Sequence, residues 1–90
     1  MSKSISITIE DKVTPEILHR FRNFGEDVWR ELKDECNVDL DEIDRSTNAF
    51  FVCGIKTKMA KRTLAKIENI AEEHNLQDSV TCSLFGGGNA

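Results

Sequence analysis

Reactive side chains are few in this chain of 90 residues, and their spacing excludes more chemistry than it suggests. The two histidines, His19 and His74, stand at no ligand spacing from each other or from a cysteine, so neither reads as a metal ligand; both are expected to face solvent on helices. Cys36, Cys53 and Cys82 are odd in number and far apart, the pattern of reduced thiols rather than of a disulfide framework. Asp39, Asp41 and Asp44 begin like a calcium loop, but the glycine required at its sixth position is Asp44 and the glutamate required at its twelfth is Phe50. No serine or cysteine lies in a nucleophile motif. The run Gly86, Gly87, Gly88 leads to no helix and so makes no phosphate cradle. No catalytic residue, no metal and no cofactor are therefore expected.

Charge is the next resource. A formal net charge of −4 argues against a general nucleic-acid binder, whose affinity rests on surplus lysine and arginine. The charges are nevertheless segregated. Asp34, Glu35, Asp39, Asp41, Glu42 and Asp44 crowd one stretch, while Lys56, Lys58, Lys61, Arg62 and Lys66 crowd another. Solvated faces are the simplest reading of both. Lys56, Lys58, Lys61 and Arg62 also flank the start of a helix, where free backbone N–H groups suit an anion, and they form the candidate anion-binding group.

The elements that must position these groups follow from hydrophobic rhythm. Ser4 to Ile9 alternates strictly, with Ile5, Ile7 and Ile9 on one face and Ser4, Ser6 and Thr8 on the other. Thr14 can cap a helix with Pro15 at its first position and Glu16 near the positive end of its dipole. Its buried stripe is Ile17, Phe21, Phe24, Val28 and Leu32, widened by Leu18 and Trp29, and it is expected to reach Cys36, with Gly25 a candidate kink. Val38 to Ser46 and Ala49 to Thr57 read as a hairpin turning at Thr47 and Asn48, with an irregularity near Asp41 and Glu42 because Ile43 is out of phase with Val38 and Leu40. In the return strand period two groups Phe51, Cys53 and Ile55 inward and Phe50, Val52 and Gly54 outward. Thr57 can cap a second helix buried through Ala60, Leu64, Ile67 and Ala71, with Met59 and Ile70 beside them, fraying near His74 and Asn75. The last strand turns Val80, Cys82 and Leu84 inward and Thr81, Ser83 and Phe85 outward.

This order, β-α-β-β-α-β, resembles the ferredoxin-like plait: an α+β domain over residues 1–86 with a four-stranded antiparallel sheet in the order 4-1-3-2, two helices on one face, and a flexible tail at 87–90. The plan hosts enzymes, regulatory modules and RNA binders alike. An acylphosphatase-like activity would require a glycine-rich turn with an arginine after the first strand, and Glu10, Asp11, Lys12 and Val13 supply neither. RNA recognition domains of this topology stack bases on aromatic residues of the third strand, but here only Phe51 and Val52 match their pattern, and Phe51 falls inward. The expectation is a non-catalytic interaction or regulatory module that forms a homodimer, or binds another protein, through the open sheet face of Phe50, Val52, Phe85, Ser4, Ser6 and Thr8. The alternative is RNA or nucleotide-phosphate binding at the basic cluster. The start of the chain lacks the pattern of a signal peptide, and no apolar run approaches the ~20 residues of a membrane span, so a cytoplasmic location is expected.

Overall fold

Three alternating isoleucines set one side of the sheet. In the computed structural model, which describes residues 2–9, 12–44 and 48–86, strand β1 (Ser2–Ile9) buries Ile5, Ile7 and Ile9 and leaves Ser4, Ser6 and Thr8 partly exposed. Helix α1 (Pro15–Leu32) follows, then strand β2 (Asn37–Asp39), strand β3 (Ala49–Lys56), helix α2 (Ala60–Glu73) and strand β4 (Val80–Phe85). The antiparallel sheet has the order β2-β3-β1-β4, and both helices cover one face, as in a ferredoxin-like plait. The expected turn residues Glu10, Asp11 and Thr47 and the tail 87–90 lie outside the described residues.

α1 begins as its cap requires, with Thr14 Oγ1 accepting from Ile17 N at 3.2 Å and Pro15 in the first turn. Phe21, Phe24, Val28 and Leu32 are buried, whereas Trp29 is 42% exposed and carries Lys33 Nζ over its ring at 4.9 Å instead of widening the buried stripe. The helix ends at Leu32, short of Cys36, where Glu35 N and Cys36 N both donate to Leu32 O. Asp34 and Glu35 beyond this point would meet the negative end of the dipole if the helix continued.

β2 is likewise shorter than its rhythm suggested. Three residues pair, and a helical turn, Asp41–Asp44, stands where the outgoing strand was expected to continue, while Arg45 and Ser46 lie outside the described residues. Asp39 Oδ1 accepts from Asp41 N at 3.0 Å, the local bond by which an aspartate diverts the backbone from a ladder. Leu40 and Ile43, three residues apart, then fall on one side of the turn and pack over α1. Gly25 makes room for them: a Cβ there would lie 3.1 Å from both Ile43 Cδ1 and Leu40 Cδ2. The glycine is a close-approach position within the helix span.

The largest departure lies in β3. Phe50 pairs with Ile7 and Val52 with Ile5, but on the far side of Ser4 the register shifts and Ile55 pairs with Lys3. One extra residue is thus accommodated at Cys53 and Gly54, and Gly54 takes a φ of +70°. This is a β-bulge with glycine in the left-handed region, and it resets the alternation. Phe50, Val52 and Ile55 all point into the core, at 0%, 0% and 2% exposure, although Val52 and Ile55 are three apart. Phe51 and Cys53 take the opposite face. Phe50 completes an aromatic cluster with Phe21 and Phe24, ring centroids 5.4 and 5.7 Å away.

A 3-10 turn, Thr57–Met59, precedes α2, so Thr57 opens that turn rather than capping the α-helix directly. Thr63 is buried with Ala60, Ile67, Ile70 and Ala71, while Leu64 is only half-buried. The end near His74 and Asn75 is held rather than frayed. Asn75 adopts φ 57°, Asn75 N donates to Glu72 O and Leu76 N to Ala71 O, a Schellman cap whose following residue, Leu76, is buried.

Candidate functional site

The bulge rewrites the open sheet face. Phe50 and Val52, expected there, belong to the core, and a strict period two counted back from Ile55 through Gly54 is what misplaced them. Phe85, Ser4, Ser6 and Thr8 do lie on the face away from the helices, now joined by Phe51 and Cys53. Cross-strand pairing arranges them in rows. Asp39, Phe51, Ser6 and Ser83 form one, and Ser4 pairs with Phe85 in the next. Strand spacing puts the two phenylalanines about 12 Å apart, with the small Ser4 and Ser6 between them. The surface is therefore two aromatic knobs beside a shallow hydroxyl trough.

The two sheet edges differ. β2 is short, carries Asp39 and leads at once into a helical turn, all devices that discourage strand pairing. β4 pairs with β1 without a register shift over Val80 to Phe85 and holds neither charge nor proline. At its end Leu84, turned toward the helix side, is 37% exposed, and Phe85, turned to the open face, is 49% exposed. The apolar patch thus begins on the face and wraps over an edge whose own strand carries no protecting charge or proline.

The basic cluster is split. Lys56 and Lys58 line a cavity of about 380 Å³, whereas Lys61 and Arg62 are exposed beyond it. Asp34 and Glu35 line the same cavity, and Glu35 Oε2 lies 3.6 Å from Lys66 Nζ. The two charge clusters, read from sequence as separate solvated faces, meet here because the turn after α1 abuts the start of α2.

His74 is not solvent-facing. Its Nε2 lies 2.7 Å from Asp27 Oδ2 and its ring 6.1 Å from that of Phe24, while Arg30 Nη1 donates to Asp27 Oδ1 at 2.6 Å. Arg20 Nη2 donates to His74 O at 3.2 Å and Asn75 O at 2.9 Å, placing a cation at the negative end of α2. The group clasps α1 to the end of α2. His19 is exposed, with Nε2 3.4 Å from Asn23 Nδ2.

All three cysteines are free thiols. Burial, followed by the carboxylate of Glu68, pushes Cys82 up to about 11. Burial, then Glu35 and Cys53, also raises Cys36, against a smaller opposing effect of Lys66. A thiol held protonated is a poor nucleophile. Among the described residues no group of three His, Cys, Asp or Glu side chains is placed to hold a metal, and no helix is long and apolar enough to cross a membrane. No protein-family model matches the chain, and no curated protein matches it in sequence.

Proposed function

We propose that this protein is a non-catalytic interaction or regulatory module that self-associates through its open sheet face as a homodimer. The observation that carries the reading is the pair of outward phenylalanines, Phe51 and Phe85, set beside the trough of Ser4 and Ser6. A two-fold axis lets the knobs of each copy rest against the trough of the other, a self-complementary contact. The face spans about 400 Å² by strand count and spacing, roughly half of what each partner contributes to a standard interface, so the association is weak and concentration-dependent. The free thiols support a reducing, cytoplasmic setting. Sedimentation velocity over a wide concentration range tests the proposal. The wild type should move toward a dimer as concentration rises, and Phe51→Asp and Phe85→Asp should each remain monomeric. A wild type that stays monomeric at millimolar concentration, or a dimer indifferent to both substitutions, refutes it.

A second reading, binding of single-stranded RNA or a nucleotide phosphate, draws support from the outward position of Phe51, where a base could stack. Against it stand Asp39, paired directly with Phe51, the net charge of −4, and the carboxylates beside Lys56 and Lys58. Under this reading binding would weaken steeply with salt and with Lys58, Lys61 and Arg62 replaced by Glu. The expected result is no complex tighter than about 10 µM at physiological salt, within the range of non-specific contact.

A further inference from the structure

The cavity between the turn after α1 and the start of α2 lies on the helix side of the sheet, independent of the proposed dimer face. Its volume of about 380 Å³ falls within the range of small-molecule sites. Ile55 is buried and Met59 half-buried in its wall, and Thr63 is 3% exposed there. Around them stand Asp34 in the turn after α1, Lys56 at the end of β3 and Lys58 in the 3-10 turn before α2. Among the described residues none of these three charged groups has an ion-pair or hydrogen-bond partner, whereas Glu35 is engaged by Lys66.

A wall of this composition discriminates by charge pattern. A simple anion drawn to Lys56 and Lys58 would also meet the carboxylates of Asp34 and Glu35, and a simple cation would meet the reverse. Only a ligand carrying both signs satisfies both sides, and the apolar surface of Ile55 and Met59 adds a place for a hydrophobic group. We infer that this cavity binds a free α-amino acid with an apolar side chain, its ammonium toward Asp34, its carboxylate toward Lys56 and Lys58, and its side chain over Ile55 and Met59. Because the charges stand at a solvent-exposed rim, each is worth little more than a charge-assisted hydrogen bond, and neutralising either end of the ligand should weaken binding about tenfold.

The test is a titration followed by amide chemical shifts, with L-leucine, N-acetyl-L-leucine, L-leucinamide and inorganic phosphate as probes. L-leucine should saturably shift the amides of Cys36, Lys56, Lys58 and Thr63, and the two neutralised analogues should bind about tenfold more weakly. Lys58→Glu should lose L-leucine, and Asp34→Lys should lose L-leucine while gaining phosphate. Both side chains are exposed, so the remaining spectrum serves as the folding control. No saturable shift with L-leucine overturns the inference, as does N-acetyl-L-leucine or phosphate binding as tightly as L-leucine, which would make this an anion site. Indifference of L-leucine binding to Lys58→Glu overturns it as well. None of these outcomes bears on self-association, which is read by sedimentation at the opposite face.

Discussion

Truncating Phe50 and Phe51 separately to alanine tests the bulge, on which the position of the candidate interface depends. The Phe50 ring is fully buried against Phe21 and Phe24, so Phe50→Ala opens a cavity in the aromatic cluster. Such truncations cost about 3 to 5 kcal/mol. A domain of this length has roughly 5 to 13 kcal/mol in total, so the loss is a large part of it and the midpoint of thermal unfolding should fall by roughly 15 to 30 °C. Phe51 is half-buried on a solvated sheet face, and its truncation should cost about 1 kcal/mol. Urea denaturation followed by far-UV circular dichroism reads both, with an unchanged m value showing that the unfolded states are alike. Phe51→Ala should also weaken the dimer without unfolding the monomer. If Phe51→Ala proves as destabilising as Phe50→Ala, or more so, the alternation runs through Gly54 uninterrupted and the open face is not the one described.

Three other outcomes are expected. Gly54→Ala should lose about 1 to 2 kcal/mol in urea, entirely from forcing an L residue to positive φ, because no atom stands within 4 Å of the added methyl; a neutral effect would argue against the bulge. Arg20→Ala removes two hydrogen bonds to the carbonyls of His74 and Asn75 and should cost about 1 to 2 kcal/mol, with faster hydrogen exchange at the Asn75 and Leu76 amides; unchanged exchange would refute the clasp. Because the folded-state pKa of Cys82 is raised from 9.0 to about 11, the stability tied to its protonated thiol is complete below pH 9 and is lost as pH rises toward 11. Cys82→Ala should therefore flatten the alkaline fall in stability, and the thiolate ultraviolet band is readable because the chain contains no tyrosine. An alkaline profile identical in both proteins would refute the burial argument.

Much of this fold is legible in the sequence because the relevant physics is local. The isoleucine alternation of β1, the Thr14 and Pro15 start of α1, the stripe from Phe21 to Leu32 and the parity of β4 each follow from backbone geometry within a few residues, and their succession along the chain is what matches the plait. Phe85, Ser4, Ser6 and Thr8 were placed on the open face for the same reason. Some signals were present but ambiguous. The three-residue spacing of Leu40 and Ile43 marked a helical turn where a strand was expected, and Gly54 marked the bulge.

What tertiary structure alone decided is the phase of β3 and the meetings of distant segments. Read by itself, β3 has two acceptable phases, one burying Phe51 and the other Phe50. The choice belongs to β1, whose Ile5 and Ile7 must face Val52 and Phe50 across the ladder while Ile55, beyond the bulge, still reaches the core. The clasp of Asp27 with His74 and the cavity that Asp34 and Lys58 both line likewise join residues far apart in sequence. No local periodicity encodes such meetings, because they exist only once helices and strands have packed into two layers around one core.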